Sequence, residues 1–162
     1  MVNIKLQELL NTQVVNELSA EMQYMAMSCW LEKENFSGMS KWFKRQAQEE
    51  HEHAMKIISH MHEWDIAVIL KSPQNPKIDF KNLEEVFSLA LENEKRVTSQ
   101  INNIYKISHE ESAWYIKIAF QWFITEQVEE EENARNNLSS IQRIGQDIAA
   151  LMYFDEKLAS VE

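Results

Sequence analysis

The sequence predicts an all-α protein: a bundle of four long helices with one long crossover in the middle and a short fifth helix at the C-terminal end. Three observations lead there. Helix breakers are scarce, since 162 residues hold only two glycines and two prolines. Those breakers divide the chain into segments of helix length. Each long segment also carries an apolar stripe at seven-residue spacing, interrupted by a polar residue near its middle.

The first helix is expected over about Ile4 to Glu34. Asn35-Phe36-Ser37-Gly38 reads as a tight connection, with Ser37 as the expected N-cap of a second helix running to about Glu63. Asp65 to Lys81 contains Pro73 and Pro76 and lacks a helical period, so it is a long connection. Asn82 and Glu85 have the spacing of a capping box at the start of a third helix. Ser108 and Glu111 repeat that spacing, so the fourth helix is expected to start near Ser108 and to end before Gly145. A fifth helix covers about Asp147 to Ser160. The whole chain, 1–162, reads as one domain, with the bundle over about 4–144 and the fifth helix over about 147–160.

Connection lengths select the topology. Two short connections make two antiparallel hairpins. The connection between them has about 17 residues, enough to run the length of a bundle at ~3.3 Å per extended residue.

Composition bounds the function. Hydrophobic residues make up 44% and charged residues 26%, the balance of an ordinary globular chain. The net charge of −10 argues against nucleic acid and anionic membranes as partners and suits a protein that attracts cations. No apolar run approaches the ~20 residues of a membrane span. Met1 to Glu8 lacks the apolar core of a signal peptide, and Cys29 is the only cysteine, so a cytoplasmic location is expected. The absence of a Cys-x-x-Cys pair excludes a thiolate metal module.

Seven-residue steps keep nearly one helix face, drifting only ~20° each. Leu10, Glu17, Tyr24 and Leu31 share one line, as do Phe43, Glu50, Ile57 and Trp64. Phe87, Glu94 and Ile101 form a third line, and Phe120, Gln127, Ala134 and Ile141 a fourth, with Phe123 and Glu130 beside it. Glu17 and Glu50 average to residue 33.5, close to the first turn, and Glu94 and Gln127 average to 110.5, close to the second. In antiparallel hairpins such pairs lie at one height. The two hairpins are offset by the same 77 residues, so all four positions are level.

A lone buried carboxylate costs several kcal/mol, and such groups are normally paired or coordinate metals. No lysine or arginine lies on these stripes near that level. Protonation serves one or two of the carboxylates, whereas bound divalent cations satisfy them all. His53 follows Glu50 by one turn, and a nitrogen beside oxygen ligands suits a redox-active first-row metal better than calcium or magnesium.

At these residues the chain resembles the ferritin family, and its prokaryotic non-haem branch in particular. The resemblance rests on Asn16-Glu17-Leu18 with Tyr24, on Ala47-Gln48-Glu49-Glu50-His51-Glu52-His53-Ala54, on Glu94, and on Gln121 to Glu131. It implies a ferritin-like bundle and a first iron site at Glu17, Glu50 and His53. A second iron then takes Glu50 as a bridge, with Glu94 and Glu130, while Gln127 hydrogen-bonds nearby. A third iron site maps onto Glu49, Glu126, Glu129 and Glu130. Tyr24 and Trp122 match aromatic residues beside the di-iron centre of the family, the tyrosine as an electron donor. Gln127 and Glu130 stand where bacterioferritins carry a second Glu-x-x-His, and His51 stands where they carry a haem-ligating methionine, so haem is not expected.

The resemblance further implies oxidation of Fe(II) to Fe(III) by dioxygen or hydrogen peroxide. It also implies a homo-oligomeric shell of twenty-four subunits enclosing ferric mineral. A di-iron oxidase with an organic substrate, or a metal-buffering bundle, is the alternative on the residues alone.

Overall fold

The computed structural model describes residues 3–160; the ends of the expected 1–162 domain, Met1 and Val2 with Val161 and Glu162, lie outside the described residues. Five helices follow in order: α1 (Ile4–Lys33), α2 (Ser37–Glu63), α3 (Leu83–Glu110), α4 (Trp114–Ile144) and α5 (Ile148–Ala159), with no strand among the described residues. α1 to α4 form the bundle, and α5 packs mainly against α2. No helix is long and apolar enough to cross a membrane.

Three of the helices end alike, each with a left-handed residue that is not glycine: Asn35 (φ 64°), Asp65 (φ 55°) and Ser112 (φ 55°). After each, the next amide reaches back to close a Schellman turn: Phe36 N to Leu31 O at 2.9 Å, Ile66 N to Met61 O at 2.8 Å, and Ala113 N to Ser108 O at 2.8 Å. These turns reverse the chain within a few residues after α1 and α3, which makes the hairpins antiparallel.

The crossover runs along α1. Asn11 donates from Nδ2 to Ala67 O (3.0 Å) and accepts from Ile69 N (2.5 Å). Gln23 donates from Nε2 to Lys77 O (3.0 Å) and accepts from Lys77 N (2.9 Å). Ser19 Oγ accepts from Gln74 N at 3.1 Å. One helix face thus satisfies an extended backbone that has no ladder of its own. The anchors rise together, 11 with 67 and 23 with 77, so the crossover runs parallel to α1 and delivers α3 antiparallel to it.

Two of the expected caps are corrected. Asn82 does cap α3, accepting from Glu85 N at 2.9 Å. Ser37 is instead the first residue of α2; Phe36 holds the cap position and makes no side-chain cap bond. The missing acceptor comes from α5: Asp155 takes the amides of Gly38 (3.0 Å) and Met39 (2.7 Å) on its two carboxylate oxygens. Ser108 likewise lies inside the last turn of α3, where its hydroxyl donates to Tyr105 O at 2.7 Å, and α4 begins only at Trp114. A hydroxyl that bonds backward within its own helix has no part in starting the next one.

The core has two apolar clusters. One gathers Tyr24, Met27, Leu31, Phe43 and Phe87 with Phe154 and Leu158 of α5. The other gathers Leu6, Leu10, Ile57, Met61, Ile101, Ile104, Phe120 and Phe123. Between them in sequence, on all four bundle helices, lie the buried polar residues Gln13, Glu17, Glu50, His53, Glu94, Gln127 and Glu130.

α5 depends on Gly38. A Cβ there would stand 1.9 Å from the carbonyl oxygen of Asp155. Asp155→Ala should lower stability by about 1 kcal/mol, the usual loss of a cap acceptor. Gly38→Ala should cost more, because it displaces the backbone of α5 as well. Thermal unfolding of the two variants side by side checks the order; equal losses would contradict the contact.

Candidate metal centre

Each helix supplies its polar residue from a stripe that is otherwise apolar, so packing above and below fixes the height of every carboxylate. Glu17, Glu50 and His53 come together: one ligand atom from each lies within 4.8 Å of the other two, and all three residues are buried. His53 Nδ1 stands 3.4 Å from Glu50 Oε2 without the alignment of a hydrogen bond. Glu17 Oε1 accepts from Gln13 Nε2 at 2.9 Å. Glu17 Oε2 and Glu50 Oε2 receive no hydrogen bond from a nitrogen or hydroxyl donor although both are buried, and the two carboxyls lie close enough to share a proton. Orphaned carboxylate oxygens facing a buried imidazole are the donor set a divalent cation takes.

A second group of ligand atoms joins His53, Glu126 and Glu130 within the same span, with Glu126 half-buried and the others buried. His53 therefore belongs to both groups. Glu49 and Glu129, on α2 and α4, are exposed and fall outside them. Glu94 also stands apart from either group. Its carboxylate accepts from the Tyr24 hydroxyl and from Gln127 Nε2, the latter at 3.1 Å. Gln127 Nε2 also approaches Glu94 O and Thr98 Oγ1, each at 3.3 Å.

The electrostatics follow from burial. Desolvation raises the Glu17 carboxyl well above the ordinary range, and the charge of Glu50 adds to it. Glu50 is raised by its own burial and then by Glu94. Glu94 is raised by burial, against the pull of its bonds from Tyr24 and Gln127. Glu130 is pushed up to about 9 by burial, with Glu94, Glu49, Glu126 and Glu129 adding to the effect. Glu49, exposed as a residue, is raised by partial desolvation of its carboxyl. Burial and Glu94 also hold the Tyr24 phenol in its neutral form.

Trp122 lies edge-on to His53, ring centroids 5.6 Å apart, and carries the Lys56 ammonium 3.8 Å above its face. His51 is removed from the centre, paired with Glu21 on the α1–α2 surface at 3.1 Å. His60, His62 and His109 sit in the last turns of their helices. Sequence reasoning missed Gln13 and Thr98. Gln13 had a usable signal, since it lies one turn before Glu17 on the same face; Thr98 had none, because only the tertiary fold brings it to Gln127.

Fold and site together define a four-helix bundle with a buried carboxylate and histidine group that could hold a metal ion. The profile of the Ferritin family, described as a ferritin-like domain, matches residues 7–144, and the chain belongs to that family. It is similar to the bacterial non-heme ferritin of Staphylococcus aureus (strain USA300), with 34% identity over 161 residues, 99% of this chain and 96% of the relative. The corresponding protein of Staphylococcus epidermidis is 32% identical over the same shares. Among solved structures, the open pore ferritin of the hyperthermophilic archaeon Archaeoglobus fulgidus superposes with a TM-score of 0.98 at 28% identity, covering all of both chains. An engineered closed form of that ferritin gives 0.97 at 29% identity, covering 100% of this chain and 99% of the other.

Raised carboxyls make metal binding a proton exchange. Between the ordinary carboxyl range, near 4.3, and the raised native values, the metal-free native state holds more protons than the unfolded chain. The stability these groups contribute is thus full below that range and is lost as pH rises through the native values. Metal-free protein should melt at lower temperature as pH is raised from about 5 to 9, and Glu130→Gln should flatten that slope. Adding Co(II) at neutral pH in weak buffer should release on the order of two protons per subunit. Indicator dye measures the release; none at saturating metal would contradict the proton-loaded site.

Proposed function

We propose that this chain is one subunit, folded as a single domain, of an iron-storing ferritin that oxidises Fe(II) at a di-iron centre. The observation that carries the reading is the convergence of Glu17, Glu50 and His53, with two orphaned carboxylate oxygens, in the core of a ferritin-family bundle. Iron is the substrate. The first Fe(II) takes Glu17, Glu50 and His53. The second takes Glu50 as a bridge, with Glu94 and Glu130, once Glu94 turns from Tyr24 and Gln127. Two Fe(II) each give one electron to dioxygen, which takes up two protons and leaves as hydrogen peroxide; peroxide itself is the alternative oxidant.

The protein's part is geometry and charge. The buried carboxylates release protons as cations bind and then hold a dipositive pair with little net charge. Tyr24, neutral and bonded to Glu94, stands ready to give an electron and a proton. Glu126 and Glu130, with exposed Glu49 and Glu129 beside them, form a third site leading out of the core. Oxidised iron leaves by that side to be stored as ferric mineral inside a shell of twenty-four subunits, and the working compartment is the cytoplasm.

His53→Ala or Glu17→Ala should slow the fast phase of Fe(II) oxidation by at least the roughly tenfold to hundredfold that losing a mere partner of a ligand costs, and leave assembly intact. Stopped-flow absorbance with parallel oxygen consumption measures it. Unchanged fast oxidation would reject the ligand set, and loss of the shell would make the residues structural.

The assembly is tested separately. A closed shell of twenty-four 19.2 kDa chains has a mass of about 461 kDa. Native mass spectrometry should find it, and a stable dimer or twelve-subunit particle would exclude it.

A further inference from the structure

α4 presents two different grooves to its neighbours. Toward α2 it offers Glu126 and Glu130 beside His53, all within ligand distance of one another. Toward α3 it offers Gln127, one residue on and about 100° around the helix. Above Gln127 the α3–α4 groove opens into a pocket of about 290 Å³. Ile101 and Gln127, both buried, lie at its depth, and Val128, 67% exposed, lies at its mouth. Ile124 lines the wall between them, and Thr98 stands beside Gln127.

The pocket ends one side chain short of the centre. Gln127 Nε2 lies 3.1 Å from Glu94 Oε2 and 3.3 Å from Thr98 Oγ1, so a residue that lines the cavity is in direct contact with the Glu94 carboxylate. With liquid water occupying about 30 Å³ per molecule, the space admits several small molecules.

Its chemistry is the opposite of the α2–α4 groove. The deep part is aliphatic, with one amide and one hydroxyl and no carboxylate. Around them stand Glu131, met by Arg135 at 3.7 Å, and the exposed Asn102 and Glu132. A divalent cation that passed the rim and shed water between Ile101, Ile124, Thr98 and Gln127 would find no charged ligand on those four side chains, a cost that the other groove avoids. A small neutral molecule pays no such cost.

We propose that this pocket is the route by which dioxygen reaches the Glu94 side of the centre, with the Gln127 amide as the final barrier. The inference rests on the ferroxidase reading above. It assigns the two substrates to opposite sides of α4: the cation passes the carboxylates facing α2, and the neutral oxidant passes the aliphatic groove facing α3. Neither obstructs the other, and Glu94 is approached from the side away from His53.

The test plugs the mouth after the protein has assembled. In a Cys29→Ser background, Val128→Cys is reacted with a bulky aryl maleimide, and the unreacted protein is the control. Initial rates are taken at saturating Fe(II) over a range of dissolved oxygen, and Co(II) binding is titrated without oxygen. The plug should raise KM for oxygen by about fivefold or more, with the extrapolated kcat and the Co(II) affinity unchanged. Ile124→Trp, which fills the pocket from its wall, should act in the same direction. An unchanged KM for oxygen in both would overturn the route. So would weakened Co(II) binding at unchanged oxygen dependence, since the pocket would then serve the cation. If the unplugged protein consumes no oxygen with Fe(II), the ferroxidase reading itself falls, and this inference with it.

Discussion

The structure turns on the burial of like charges. Glu17, Glu50, Glu94 and Glu130 occupy one level of a bundle core with no lysine or arginine among the buried residues there. Water is excluded by apolar side chains on both sides of that level, so every carboxylate bears a desolvation cost that its neighbours increase. A cluster of this kind is unfavourable as a structural device, since apolar residues of similar volume would pack at less cost. It persists because protons, or cations in their place, neutralise it. The two apolar clusters then carry the fold, and the polar level between them is left free to exchange what it binds.

The remaining architecture keeps that level in register. The crossover is tied to α1 at three heights by Asn11, Ser19 and Gln23, which sets α3 against α1 and brings Glu94 to Tyr24. Gln127 links α4 to α3 through Glu94 and Thr98, while Gln13 steadies Glu17 from one turn away. The amides thus hold the carboxylates without adding charge. Cationic side chains stand at the margin, where Lys56 covers Trp122, Arg135 faces Glu131 and Arg96 donates to Asn93 beside Glu94.

Much of this was legible from the residues because helical periodicity is a strong physical signal. The order of the helices, the long connection and the level of Glu17, Glu50, Glu94 and Gln127 follow from counting, while the start of α4 lies six residues beyond the expected Ser108. The caps at Ser37 and Ser108 were not legible. A serine after a tight turn, or a hydroxyl three residues before a carboxylate as at Ser108 and Glu111, is a local pattern, and the real acceptor for the start of α2 is Asp155, more than a hundred residues away in the chain. The orientation of Glu94 was equally hidden. Spacing puts its Cα at the right height, but the choice between facing Glu50 and facing Tyr24 with Gln127 is made by tertiary hydrogen bonds. Thr98 belongs to the same class: an ordinary helical threonine until the fold sets it beside an amide.

The contact between Asp155 and the first turn of α2 has a consequence for the order of events during synthesis. Its partners are separated by 117 and 116 residues, so closing it is among the most entropically demanding steps in the chain. A nascent polypeptide has α2, with Glu50 and His53, outside the ribosome well before α5 exists. Until α5 emerges, the beginning of α2 lacks its acceptor, and the apolar socket for Phe154 and Leu158 stands open. An interrupted product that stops before α5 therefore carries every carboxylate of the centre yet leaves the start of α2 uncapped and the apolar socket uncovered. Synthesis of α5 is built into the fold as a condition for a finished surface.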